Sequence, residues 1–189
     1  MRIERVWAMP DRRTFTIKPI AELLKEELTP GRWVDPFAGF HSPAQVTNDL
    51  NPETPAQYHM DALDFLRRFD DEEFDGALFD PPYSFRQAKE CYRSFGAQGF
   101  SKDMEPLRYW SCCKDEMARI VRTGGKVLCF GWTSMGMGKQ RGFKVMRILL
   151  VPHGGSKNDT ICTVEIKRWH QEELPKTEGD VGGTVRGGG

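Results

Sequence analysis

At 189 residues the chain is about one domain long, and 39% hydrophobic with 29% charged residues suits a water-soluble globular protein with a substantial core. A formal net charge of zero excludes an overall field that would draw the chain to nucleic acid or membrane, while leaving room for a local basic face. No apolar run approaches the roughly 18–20 residues of a membrane helix, and the start "MRIERVWAMPDRR" has no apolar core behind its charges, so it does not read as a secretion signal.

The predicted elements alternate. "IAELLKEEL" (Ile20–Leu28) repeats apolar residues at helical spacing and stops at Pro30-Gly31. "RWVDPF" is a short strand ending in an acid, and "AQVTNDLN" is a second. "ALDFLRRF" is a short helix and "FDGALFD" a third strand, which runs into two prolines and a tyrosine. The polar and aromatic region from Ser84 to Glu105 reads as a short helix and a loop. "LRYWSCCKDEMARIV" is an amphipathic helix closed by Thr123-Gly124-Gly125, and "KVLCFGW" is a fourth strand. "FKVMRILLVPH" and "TICTVEIKRWH" form a hairpin across "GGSKND". Residues 1–170 thus make one α/β domain, followed over residues 171–189 by a charged, Gly-rich tail expected to be disordered. The sheet should be mostly parallel and doubly wound, with the hairpin as an antiparallel edge.

Such sheets bind ligands beyond the carboxyl ends of their strands. Three successive strands here end in aspartate, at Asp35, Asp49 and Asp80, and Asp61 follows closely. Taken singly, each acid reads as a helix cap or turn former. Four carboxylates converging on one edge repel one another, and a shared ligand explains them better. The five cysteines and four histidines show no zinc-type spacing, which suits reduced, mostly buried thiols in a cytoplasmic protein and no metal.

With these residues in view, the chain resembles the S-adenosylmethionine-dependent DNA amino-methyltransferases, in a stretch from about Phe15 to Trp132. "VDPFAG" is similar to their first motif, and "DPPY" (Asp80, Pro81, Pro82, Tyr83) to their catalytic motif. "NDLNP" and "MDALDFL" sit where their ribose- and adenine-binding acids lie, and "TFTIKPIAELL" resembles the segment before their first strand. The resemblance implies a class I methyltransferase fold of the Rossmann-like type and S-adenosyl-L-methionine as cofactor. Asp35 would lie near the methionine ammonium, Asp49 on the ribose hydroxyls and Asp61 on the adenine amine. Phe37 and Leu50 would be apolar walls, with Ala38 and Ala62 beside them. Phe15, Ile17 and Lys18 would meet the methionine end. The implied reaction is methylation of the 6-amino group of adenine in double- or single-stranded DNA. Cytosine's 4-amino group, an RNA adenine and a non-catalytic nucleic-acid-binding subunit stand as alternatives.

The amine's lone pair is delocalised into the base, and acceptors at Asp80 and the Pro81 carbonyl would draw the nitrogen toward tetrahedral geometry. The prolines hold those acceptors in place, and Tyr83 would stack on a flipped base. Only "FAGFHSPAQ" joins the first two strands, where the family has a glycine-rich loop and a full helix. Small phage-type adenine methyltransferases have a similarly short segment and are the nearest likeness, which points to a prokaryotic or phage-infected cytoplasm. There is no room for a separate target-recognition region. Phosphate contacts are expected from Arg86, Lys89, Arg93 and Lys102, from Lys139 and Arg141, or from Arg12 and Arg13, and help from a homodimer partner is left open. His41 reads as a surface or turn residue, and Trp132 as a strand-end core residue, with lining of the base pocket as its alternative.

Overall fold

The computed structural model describes residues 1–82, 85–95, 106–155 and 158–168. Its seven strands are β1 (Arg2–Arg5), β2 (Trp33–Asp35), β3 (Val46–Thr47), β4 (Phe74–Phe79), β5 (Val121–Gly131), β6 (Phe143–Val151) and β7 (Thr160–Lys167). The helices are α1 (Lys18–Glu27), α2 (Ala62–Leu66), α3 (Phe85–Ser94) and α4 (Pro106–Ile120). One sheet runs β1-β6-β7-β5-β4-β2-β3.

Only β7 is antiparallel to its neighbours, β5 and β6. The hairpin therefore lies inside the sheet and does not form its edge. The edge on that side is β1, a strand without an apolar signal in its sequence, which runs parallel to β6 with Arg2 opposite Arg147.

The central strands are buried on both faces because helices cover both sides, and alternation sorts their side chains. Ala77 and Phe79 of β4 and Val127 and Cys129 of β5 face one core, with Leu63, Phe65 and Leu66 of α2 and Cys113 and Met117 of α4. Leu78, Leu128 and Phe130 face the other, with Ile20, Leu23 and Leu24 of α1 and Trp33 of β2. Gly76 is required for close packing: a Cβ there would sit 2.5 Å from the Trp33 ring.

The amphipathic helix ends at Ile120, earlier than its Gly-Gly signal suggests. Val121 pairs with Phe74, and pairing resumes at Lys126 opposite Gly76. The glycines, with Gly124 at φ 80°, form an irregularity within β5 and do not cap the helix. Residues 36–45 between β2 and β3 contain turns and no helix, as the shortened connector implies.

Strands β3 and β4 flank β2 on opposite sides, so the chain reverses its winding at β2. Because β2, β3 and β4 are parallel, their carboxyl ends open on one edge. Among the described residues no helix is long and apolar enough to cross a membrane, and no cluster of side chains could hold a metal ion.

Candidate active site

A cavity of about 390 Å³ opens at that edge, within the roughly 300–1,000 Å³ range of small-molecule sites. Its walls include Pro36, Phe37, Asp49, Leu50, Met60 and Ala62 on the β2–β3 side. Asp80, Pro81 and Pro82 enter as the chain leaves β4, and Gln87 and Cys91 come from α3. A smaller pocket of about 130 Å³ adjoins it, lined by Phe15, Ala38 and Gly39, and shares Arg12, Thr14, Phe37 and Asp80 with it.

The acids do converge. Burial in the sheet pushes the Asp35 carboxyl up to about 7, against the pull of hydrogen bonds from the Ser42 hydroxyl and the Phe37 N–H, and the charges of Asp80 and Asp49 push the same way as burial. Asp35 does not reach the cavity. The Phe37 N–H donates to its Oδ1 at 2.9 Å and the Ser42 hydroxyl to its Oδ2 at 2.6 Å, so it folds the connector from below. The expected place beside the methionine ammonium is thus one connector layer away from the carboxyl itself.

Asp49 does line the cavity. It accepts one N–H on each oxygen, from Gly39 at 2.8 Å and Asn51 at 2.8 Å. A carboxylate has about four acceptor positions, so capacity remains for ribose hydroxyls.

Asp61 is taken up by protein partners. Its Oδ1 caps α2 by accepting from the N–H groups of Leu63 and Asp64. Its Oδ2 accepts from the Tyr92 and Tyr109 hydroxyls, both at 2.8 Å. Burial raises the pKa of both tyrosines well above the ordinary value, so they remain donors at any physiological pH. The acid ties α2, α3 and α4 together, and its neighbours Met60 and Ala62 reach the cavity in its place.

Phe15 and Ala38 border the smaller pocket, whereas Ile17 is buried at the start of α1 and Lys18 is exposed on its first turn. Neither of these two lines the site. Tyr83 and Lys102 lie outside the described residues.

Helix α3 presents different faces to different surroundings. Gln87 and Cys91, four residues apart, line the cavity, Ala88 and Tyr92 are buried, and Arg86, Lys89 and Arg93 share an exposed face. Arg86 pairs with Glu90 at 2.9 Å. Lys139 is exposed, but Arg141 is not a surface cation. Its guanidinium bonds to Asp115 at 2.6 Å, the Ser111 hydroxyl at 2.7 Å and the Met137 carbonyl at 2.9 Å, which locks the loop after β5 onto α4. Trp132 is 40% exposed and is not a core residue. Arg13 pairs with Asp11, whereas Arg12 stands where the two pockets meet.

Asn48 went unnoticed in the sequence. It is 1% exposed, and its amide donates to the carbonyls of Pro36 and Met60 while its Oδ1 accepts from the Met60 N–H. It pins three wall segments at one point. An asparagine between a threonine and an aspartate at a strand end is the one signal that marked it.

No family model matches the sequence, and no curated protein matches it. Solved structures match it in fold. TrmN from Thermus thermophilus aligns at a TM-score of 0.51 and 17% identity, over 82% of this chain and 50% of the TrmN chain, so this chain spans half the length of that protein. The 1,6-didemethyltoxoflavin-N1-methyltransferase from Burkholderia thailandensis, with S-adenosylhomocysteine bound, aligns at 0.51 and 14% identity over 78% of this chain and 76% of that one. A SAM-dependent methyltransferase from Thermotoga maritima aligns at 0.50 and 13% identity, over 78% and 87%. The chain has the class I methyltransferase fold, α/β with a mostly parallel sheet.

Proposed function

We propose that the chain is an S-adenosylmethionine-dependent methyltransferase acting on the exocyclic 6-amino group of adenine in DNA. The observation that carries this reading is the cavity itself: Asp80, Pro81 and Pro82 form one wall, and Asp49, Leu50 and Phe37 form the other. The donor set suits the cofactor. Asp80 and Asp49 lie close enough to Asp35 for their charges to act on it, and a sulfonium and an ammonium offset such a cluster. Asp49 keeps acceptor capacity for ribose hydroxyls, and Phe37 and Leu50 supply apolar walls for a purine.

When bound, the cofactor supplies an electrophilic methyl group. The chain's residues do the rest. Asp80 and the Pro81 carbonyl accept the two amine hydrogens, which localises the lone pair on nitrogen as it attacks and leaves Asp80 to accept the proton lost afterwards. The prolines fix their backbone torsions before the base arrives, so little reorganisation is needed. Arg86, Lys89 and Arg93 give α3 a cationic face for phosphates beside the cavity.

The test is transfer of labelled methyl to unmethylated DNA, read by nucleoside mass spectrometry, with S-adenosylhomocysteine binding measured in parallel. Methyladenine should form with the wild type. Asp80→Ala should cut turnover by at least about 100-fold, the scale of lost transition-state stabilisation, with cofactor affinity within about threefold. Methylcytosine, or product on RNA alone, would move the reading to another amine. A chain that binds no S-adenosylhomocysteine is no methyltransferase, and its role would be that of a binding subunit.

A further inference from the structure

The edge strand β1 lies far across the sheet from the cavity, and its pairing continues past its named end. The Val6 N–H donates to the Leu150 carbonyl at 2.9 Å and the Ala8 N–H to the Pro152 carbonyl at 3.2 Å. Even-numbered backbone groups therefore point toward β6. Alternation along a strand turns the N–H and C=O groups of Ile3, Arg5 and Trp7 outward. No described residue pairs with that outer edge. The odd-numbered side chains share one face, and their apolar members are open to water: Ile3 is 59% exposed, Trp7 60% and Met9 70%. An edge of this kind, with no bulge and no proline before Pro10, is a template for another strand.

We propose that a second copy of this chain pairs antiparallel with β1 about a twofold axis at Val6, joining the two sheets edge to edge. The axis follows from the sequence of the strand. Hydrogen-bonded partners must both be odd-numbered, because only those residues turn their backbone outward. An axis at Glu4 or Arg5 would set two like charges directly opposite each other, which is destabilising. An axis at Val6 sets Arg5 against Trp7 of the second copy, a cation over an indole, and Ile3 against Met9. Val6, 44% exposed, then meets its own copy in a non-hydrogen-bonded pair, where side chains approach most closely. Glu4 is held inward by Arg147 at 2.5 Å, so it does not repel the approaching strand. The net charge of zero adds no repulsion between copies.

The experiment is sedimentation of the full chain together with register-specific cross-linking. The wild type should pass from monomer to dimer as its concentration rises to about 100 μM, as mass action requires. Val6→Cys should become a covalent dimer under mild oxidation, whereas Ile3→Cys should stay at the wild-type background set by the five native thiols. Arg5→Pro removes an outward N–H that β6 does not use, a substitution tolerated on edge strands, and should stay monomeric. If Arg5→Pro lacks a cooperative melting transition, Trp7→Lys decides, with an expected dissociation constant at least about tenfold weaker. A wild type that remains monomeric overturns the proposal. So does a dimer that survives these substitutions, or one in which Ile3→Cys cross-links as readily as Val6→Cys.

Discussion

The two ends of this sheet treat their acids in opposite ways. At the amino end of the strands, carboxylates meet cations. Asp75 takes Arg122 at 2.8 Å, Asp71 takes Arg119 at 2.7 Å, Glu72 faces Lys167 at 3.5 Å, and Glu27 takes Lys126 at 2.9 Å and Arg147 at 3.2 Å. At the carboxyl end, Asp35, Asp49 and Asp61 are held by backbone N–H groups and hydroxyls. A cation cancels an acid's charge, whereas neutral dipoles orient the acid and leave its charge for something else. The amino end is built to be finished when the chain folds. At the carboxyl end no cation of the chain is paired with these three acids among the bonds described, and only Asp49 of the three lines the cavity.

The contrast can be broken most sharply at Asp35. Its carboxyl, lifted to about 7 by burial from an ordinary 3.8, binds a proton more tightly in the folded chain than in the unfolded one. This group therefore favours folding at low pH, costs stability as the pH rises from about 4 to about 7, and has no further effect above that. The span corresponds to roughly 3–5 kcal/mol. Asp35→Asn should flatten that dependence in urea unfolding curves taken at several pH values. A wild type already flat over that range would remove burial as the dominant influence on Asp35.

At Asp49 the effect is on the ligand. Asp49→Ala should weaken S-adenosylhomocysteine binding by about 10–100-fold, or roughly 1.4–2.8 kcal/mol, in a titration calorimeter. Unchanged affinity would take Asp49 out of the site. The smallest effect belongs to the amino end: Arg122→Ala breaks a half-exposed ion pair with Asp75 and should cost no more than about 1 kcal/mol, with methyl transfer unaltered. A larger loss there would show that the two ends do not divide their work as described.

Much of this arrangement was readable from local signals. The acids at strand ends, the apolar runs of β2, β4 and β5 and the helical spacing of α1 and α4 are all properties of short windows, and each appears where expected. What local windows do not carry shares a cause. Strand β1 reads "RIER", with no local apolar alternation, and it exists because β6, more than 140 residues away in sequence, offers an edge. Gly124 and Gly125 look like a helix stop because that is their commonest local use, yet here they let β5 bulge opposite β4. Asp61 and Arg141 read as ligand contacts by type and place, and a sequence window does not show the protein groups that bond them. Only the packing of α3 and α4 brings Tyr92, Tyr109, Ser111 and Asp115 to them. Sequence windows reveal which groups are charged, and the tertiary neighbours decide whether a charge remains to be used.

The stretch between β2 and β3 carries a further implication. Residues 36–45 have no helix to give them a shape, and their backbone is instead gathered by two carboxylates, Asp35 through Phe37 and Asp49 through Gly39. Scaffold and cavity wall are thus one object in this corner of the molecule. A longer connector with its own helix can hold its course while its acids drift or are replaced. Here the course of the loop rests on those two carboxylates, so a change at either aspartate reaches the backbone of the cavity wall as well as its charge.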